Sequence, residues 1–368
     1  MTDVLHVTPA LFGDRGMWGG GERFAVELAR AQARLVHTQL VSLGPQERQL
    51  DDGELSITIL PTRFHWKGHE LNAISERLLG LIRGSRAVHV HQYNTALTSF
   101  CLLAGAALRT PVYVTDHGGS APSLNRRLRL HRLVAQNLSV STYALRFYPE
   151  LRERSTVIFA GVDTDRFHPP AGPHARTPQV CCVARIMPHK GIDILIQALD
   201  HDTPLELYGR PYDAAYLAHL HRLARGKPVT FHHDADDAEI VSALQRSRVA
   251  VLPSVYRTYD GRHAPNAEYF GIALAEAMAC GTPVVATRVG GMPEVLEGSR
   301  GGRIVAPGDA ASLGAAIREI VEAPEEQWQA WSRACVEAVE LRFTWRGVAE
   351  RCLEAYGLQG SAHPTARR

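Results

Sequence analysis

Lysine is nearly missing from this sequence: of 40 basic side chains only Lys67, Lys190 and Lys227 are lysines, and the other 37 are arginines. The bias fits codon usage, and it makes each lysine an uncommon choice. A net basic excess is missing too. A formal charge of +2 gives no dense cationic face and excludes a general polyanion binder, so no nucleic-acid partner is expected. No apolar run approaches the roughly 18 residues that a spanning helix requires, and the opening MTDVLHVTPALFG lacks a basic leader pattern. The expected location is cytoplasmic, with the inner face of a membrane as the secondary one. Paired cysteine motifs are absent: Cys101, Cys181, Cys182, Cys280, Cys335 and Cys352 are scattered, which argues against a zinc knuckle or a disulfide framework and for reduced core thiols. The 18 histidines, HVH at 89–91 and HH at 232–233 among them, show no closed ligand spacing. DTD at 163–165 lies in a linker, far from any phosphate loop. No metal and no other cofactor is expected.

What the chain does have is alternation. Short β-branched runs at 4–8, 38–43, 56–60, 87–91, 112–115 and 155–159 alternate with longer amphipathic stretches, the pattern of a parallel α/β sheet. A second series occupies 180–184, 205–209, 229–232, 249–253, 283–287 and 302–305, after a Pro- and Gly-rich linker at 161–178. Two doubly wound domains are predicted, over residues 1–165 and 175–340. A helix at 343–357 is expected to pack back on the first.

Four stretches carry chemistry. In EYFGIALAEAMACG (268–281), a helix from about Gly271 to Cys280 would begin with free N–H groups near Gly271 and Ile272, an anion site. Glu268 stands before that start and Glu276 about 7.5 Å along the axis, at 1.5 Å per residue. Carboxylates flanking a phosphate accept hydrogen bonds from hydroxyls, so the implied ligand is hydroxyl, phosphate, hydroxyl. Spacing alone equally permits a solvated Glu276 and a loop Glu268. VARIMPHKGID (183–193) leaves a strand with Arg185 and Lys190 on a loop, two cations suited to a diphosphate or to surface exposure. MWGGGERFAVELA (17–29) is a glycine loop entering a helix, although Phe24 breaks the dinucleotide fingerprint. YVTDHGG (113–119) puts His117 just past a strand end, where a lone histidine is also compatible with simple packing.

Taken together, these motifs resemble the family 4 retaining glycosyltransferases of GT-B fold, over nearly the whole chain. Two glutamates separated by seven residues, with ARIMPHKGID, GGGERFAVELA, DHGG, AGVDTDRFHP and VAPGD in order, carry the resemblance. It implies two Rossmann-like domains and a nucleotide diphosphate sugar donor, uridine first and guanosine next. Arg185 and Lys190 would bind the diphosphate, Glu276 the ribose, and Glu268 the transferred sugar with the backbone of Phe270, Gly271 and Ile272. Gly19 and Gly20 would approach the phosphates, Gly209 and Arg210 the base, and His117 the sugar ring. The implied mechanism is metal-independent front-face substitution with retained anomeric configuration.

The sequence departs from that pattern at Ala160, where asparagine is usual, and in the long polar stretch 255–268, read as a surface loop with His263 and Asn266 as alternative selectivity residues. The acceptor, a small molecule, a glycan or a lipid-linked sugar, is not legible, and neither is the oligomeric state. Trp18, Trp66, Tyr93 and Asn94 are candidates to line its pocket, or core residues. The stretch 124–134, with Arg126, Arg127, Arg129 and Arg132 among leucines, reads as a solvated helix flank or a helix at a membrane surface. Competing readings of the same cleft are a nucleotide-sugar epimerase, a phosphorylase, or a non-catalytic nucleotide-sugar sensor. No pyridoxal-phosphate lysine signature supports the phosphorylase.

Overall fold

The computed structural model describes residues 1–9, 20–118, 123–172 and 176–358. They form two units, Met1–Gly161 with Trp345–Arg368, and Val162–Thr344. In the first, the described strands are β1 (Thr2–Val7), β2 (Thr38–Gly44), β3 (Arg48–Asp52), β4 (Leu55–Pro61), the short pair β5 (Phe64–His65) and β6 (Ala73–Ile74), β7 (Ser85–His91), β8 (Val112–Thr115), β9 (Val134–Ser139) and β10 (Ser155–Val157). The main sheet runs β10-β9-β8-β7-β1-β2-β4-β3 and is parallel except for the β3–β4 pair. Helices α1 (Gly20–Ala33), α2 (Leu78–Arg83) and α3 (Ala96–Leu108) accompany it. The central strands are apolar on both faces because both are covered. Val88, Val90 and Val114 pack with Leu97 and Leu102 of α3, while Leu40 and Ile57 meet Ala25, Val26 and Ala29 of α1.

In the second unit, β11 (Thr177–Val183), β12 (Leu205–Tyr208), β13 (Val229–His232), β14 (Ser247–Leu252), β15 (Val284–Thr287) and β16 (Gly302–Val305) form a parallel sheet ordered β13-β12-β11-β14-β15-β16. Its helices are α4 (Ile192–Ala198), α5 (Ala214–Leu223), α6 (Asp237–Arg246), α7 (Ile272–Ala279), α8 (Met292–Leu296), α9 (Ala310–Val321) and α10 (Glu325–Arg342). The order reverses between β11 and β14, the position where open sheets of this kind receive ligands. Helix α11 (Trp345–Tyr356) follows and packs on α1, within the first unit.

Strands expected from alternation sit within one to three residues of those observed. Four strands escape that reading: β3, the two-residue pair β5 and β6, and β9. β3 is a polar edge strand, Arg-Gln-Leu-Asp-Asp, whose residues are mostly exposed and so carry no apolar signal. β9 begins where the 124–134 helix was expected to end. That expectation is corrected: residues 125–129 make turns and Leu130–Leu133 a short 3-10 turn, leaving Leu128 and Leu133 exposed beside Arg126, Arg127, Arg129 and Arg132. Among the described residues no helix is long and apolar enough to cross a membrane. In the linker, Asp163 accepts the backbone N–H of Asp165 and pairs with Arg166, which also reaches Asp237 at 2.7 Å, so that DTD is a turn. All six cysteines are buried and unpaired.

One guanidinium ties the C-terminal ends of α6 and α7 together. Arg176 donates to the carbonyls of Leu244 (2.8 Å), Ser247 (3.2 Å) and Cys280 (2.9 Å) and to Thr282 Oγ1 (2.7 Å), and stacks 4.9 Å from the Trp328 ring. It satisfies carbonyls that helix ends leave open. Arg176→Met keeps the apolar stem and orphans those acceptors, so urea unfolding should show a loss of about 2–3 kcal/mol.

Candidate active site

The second unit's switch point brings two loops together. The loop leaving β11 carries Arg185 and closes in a 3-10 turn, Pro188–Lys190, ending at Gly191 with φ +64°. A Cβ on Gly191 would lie 2.1 Å from the Pro253 carbonyl, so glycine is what allows this loop to touch the one leaving β14. The Val255 N–H donates to the His189 carbonyl at 2.8 Å and holds the contact. Lys190 and Glu268, 78 residues apart, then meet: Nζ to Oε2 is 2.5 Å, with side chains only 10% and 12% exposed. Ser254 also donates to Glu268 Oε2 at 3.3 Å, and its own carbonyl accepts the Thr287 hydroxyl.

Glu268 is fixed through its backbone as well. Its carbonyl accepts the Gly291 N–H, and a Cβ on Gly290 (φ +60°) would fall 1.7 Å from that oxygen. The Gly290 N–H donates to the Tyr256 hydroxyl at 2.8 Å, so the polar loop 255–268 is tied down at its start, while His263 and Asn266 are exposed. α7 starts at Gly271 (φ +100°) with no side-chain cap, leaving its positive end for a ligand. Phe270 is buried against Phe343, Ile272 opens the helix, and Glu276 lies half-buried one turn further on. Burial pushes the Cys280 thiol up to about 12, and the Glu276 charge adds to it. Burial lowers His189 to about 4, the Lys190 charge adding to the drop, so His189 is neutral at neutral pH.

Arg185 is exposed, 5.9 Å from the ring of Tyr212, itself exposed. Gly209 crosses the β11 loop so closely that a Cβ would sit 1.8 Å from the Ala184 carbonyl, and the Arg210 carbonyl accepts the Ile186 N–H at 2.8 Å. Arg185, Lys190, Gly209 and Arg210 thus belong to one pair of interlocked loops.

In the first unit Trp18 and Gly19 lie outside the described residues, and Gly20 is the first residue of α1. Tyr93 is fully buried in the core against Tyr148, which corrects its reading as a pocket wall. Trp66 sits half-buried in a 3-10 turn under the Lys67 ammonium, and Asn94 is half-buried. His117 is half-buried against Phe24, ring centroids 4.7 Å apart.

Behind His117 is a cluster that local spacing could not show. Parallel register sets His6 of β1 beside His89 of β7, and His91 lies two residues on. One ring nitrogen from each of these three buried histidines lies within 4.8 Å of the other two, close enough to hold a metal ion, and His91 Nδ1 is 3.3 Å from His117 Nε2. Burial lowers His6 to about 4 and pushes His89 and His91 well below the usual imidazole range.

Two family models match consecutive stretches: "Glycosyltransferase Family 4" over residues 18–166 and "Glycosyl transferases group 1" over 163–334. The chain is a GT-B glycosyltransferase of the family 4/group 1 type. This glycosyltransferase is 30% identical over 246 residues to D-inositol 3-phosphate glycosyltransferase 2 of Catenulispora acidiphila, covering 61% of the chain and 55% of that relative. It is 32% identical over 234 residues to a glycogen synthase of Mycobacterium tuberculosis, covering 60% and 53%. The chain therefore spans about half the length of these curated relatives. Among solved structures, Anabaena HepE in complex with UDP and glucose superimposes with a TM-score of 0.73 at 18% identity, over 97% of this chain and all of that one. Sucrose-phosphate synthase from Thermosynechococcus elongatus gives 0.70 at 20%, over 97% and 98%. At those identities the likeness shows the fold alone.

Two outcomes follow from this geometry. Lys190→Met should destabilise the glycosyltransferase by about 2–3 kcal/mol, because it strands a mostly buried carboxylate, and adding Glu268→Gln should recover much of that loss in a double-mutant cycle read by urea unfolding. Because His6, His89 and His91 have folded pKa values below the unfolded value of about 6.5, the unfolded chain binds more protons as pH falls below it. Stability should therefore be flat in these groups above pH ~7 and drop between about 6.5 and 4, by roughly 1 kcal/mol per histidine per pH unit. Unfolding midpoints at pH 7.5 and 5.5 measure the drop.

Proposed function

We propose that this glycosyltransferase moves a sugar from a nucleotide diphosphate donor, uridine first and guanosine next, to an acceptor hydroxyl with retention of anomeric configuration. The observation that carries the reading is the Lys190–Glu268 pair at the switch point, beside the uncapped start of α7. The two side chains are held against each other before any ligand arrives. A diphosphate entering there would compete for the ammonium, with the exposed Arg185 as a second cation. The carboxylate released from Lys190 would then accept hydroxyl hydrogen bonds from the transferred sugar.

In this reading Arg185 and Lys190 meet the charge growing on the departing diphosphate, which makes a metal unnecessary for that step. Glu276 accepts the ribose hydroxyls, the backbone of Phe270, Gly271 and Ile272 lines the sugar subsite, and Gly209 and Arg210 approach the base. Gly19 and Gly20 are assigned to the phosphates and His117 to the sugar ring, as the family resemblance implies. The leaving phosphate takes the proton of the attacking hydroxyl on the same face, so no protein base is needed, and the protein contributes position and electrostatics. HepE, of the same fold, holds UDP and glucose, which supports a uridine donor. The acceptor class, small molecule, glycan or lipid-linked sugar, stays open in this proposal.

Thermal-shift screening of nucleotide sugars should single out one donor, because a specific ligand raises stability by mass action. With that donor, Arg185→Ala and Lys190→Ala should each lower turnover by about 10²- to 10³-fold, while Glu276→Ala should chiefly weaken donor binding. Near-normal turnover in Lys190→Ala would remove the diphosphate assignment. A new sugar isomer formed without acceptor would favour an epimerase, and tight binding with no product a sensor.

A further inference from the structure

Charge is spread very unevenly along this chain. Between Glu76 and Glu150 there are nine arginines and a single acid, Asp116, an excess of eight positive charges where the whole chain carries +2. Asp116 is buried, and Arg77 and Arg86 are paired with Glu47 and Asp3. Among the described residues the other seven guanidiniums are exposed and pair with no carboxylate. The fold gathers them on one layer. α2, α3, the turn 124–133 and the 3-10 turn Pro149–Arg154 cover the same face of the first sheet, with Ile82, Leu102, Leu130 and Leu151 in one core.

The same layer leaves apolar side chains in solvent. α3 contains no charged residue, and its outer face is Phe100, Leu103, Ala106 and Ala107, with Leu103 46% exposed. Beside it the turn 124–133 exposes Leu128 (50%) and Leu133 (37%), each next to an arginine in sequence. Tertiary hydrogen bonds fix that turn against α3: Ser99 Oγ meets the Asn125 side-chain oxygen at 2.8 Å and accepts the Leu124 N–H at 3.1 Å. At the far end Arg154 donates to the carbonyls of Arg132 (3.0 Å) and Val134 (3.2 Å), which sets a further guanidinium across Leu133. An isolated exposed leucine is ordinary, but a fixed apolar centre rimmed by arginines without counter-charges marks an interaction surface.

We infer that this layer docks on an anionic bilayer surface, its arginines on lipid phosphates and Leu103, Leu128 and Leu133 dipping to headgroup depth. Charge complementarity decides the occupant. Each arginine at an anionic membrane is worth about fivefold in partitioning, and apolar side chains add to it by leaving water. A second copy docking about a two-fold axis would press the same arginines against themselves. A nucleic acid would engage the arginines through its phosphates and leave the leucines in water. The docking surface leaves the carboxyl ends of the strands clear: Arg132, Leu133 and Arg154 directly precede β9 and β10, at the amino ends, whereas His117 follows β8. It is carried by the first unit alone and does not rest on the glycosyl-transfer reading.

Sedimentation of the full chain with lipid vesicles tests this. With three parts phosphatidylcholine to one of phosphatidylglycerol the protein should pellet, and with phosphatidylcholine alone it should stay in the supernatant. Binding should fade as NaCl rises from about 50 to about 500 mM, because the Debye length falls from about 14 to about 4 Å. Replacing Arg126, Arg127, Arg129 and Arg132 together by glutamine should cut the partition coefficient by about two orders of magnitude or more at the lower salt. Leu128→Ser with Leu133→Ser should cut it by about tenfold at unchanged charge. Pelleting with both vesicle types or with neither overturns the proposal, as does undiminished binding by the arginine or the leucine variant, or an equal loss in Arg222→Gln with Arg225→Gln on the second unit. A solution dimer that the arginine variant turns into a monomer would assign the layer to a second copy instead. Oligouridylate bound more tightly than the anionic vesicles, and indifferent to the leucine pair, would assign it to nucleic acid. If the arginine variant does not fold, the leucine pair and the wild-type salt series decide. No donor or acceptor is present in these measurements, so failure of the docking and failure of the glycosyl-transfer reading are distinguishable.

Discussion

The second unit is organised around one ion pair that would be expensive if either partner were missing. Lys190 and Glu268 are both mostly shielded from water, and a lone charge in either place would have to neutralise or drag solvent inward. Their meeting dictates the rest of the local architecture. Two loops must pass within van der Waals contact, which requires Gly191, and the chain carrying Glu268 must press against Gly290 and Gly291. Such a pair is modest evidence for stability. Under the proposed function it is a stored arrangement: two opposite charges hold each other until a ligand with its own anionic and hydroxyl groups separates them.

Much of the fold was written in the sequence, because buried parallel strands are apolar on both faces and announce themselves as short β-branched runs. What failed did so for physical reasons. β3 pairs only at the sheet edge and has no buried face to encode. The 124–133 stretch has leucines at nearly helical spacing, yet Asn125 is buried and donates to the Tyr93 carbonyl while Ser99 donates to its side-chain oxygen. Those tertiary hydrogen bonds favour a turn there. The loop positions of Arg185, Lys190 and Glu268 follow from strand ends and glycines. Their contact does not, since nothing local in a sequence measures a distance across 78 residues.

The histidines show the same limit more sharply. HVH reads as a spacing of two on one strand, which puts both rings on one face, but the partner that completes the cluster comes from β1 through sheet register and the next from beyond β8. A parallel sheet can thus line up polar residues from separate parts of the chain in its interior, where each must find a partner or lose more free energy than its packing returns. The first unit meets that demand by hydrogen bonding one imidazole to the next.

α11 adds a consequence for biosynthesis. The Trp345 ring occupies the space where a side chain on Gly161 would stand, with Cβ-to-ring distances down to 2.3 Å, and Tyr356 reaches the His89 ring inside the first sheet. Every residue of the second unit precedes these in the chain. On the ribosome the amino-terminal sheet must therefore wait, with one flank of α1 uncovered, until the later unit has been made. The half of the protein that is translated first is completed by a helix made after the second unit.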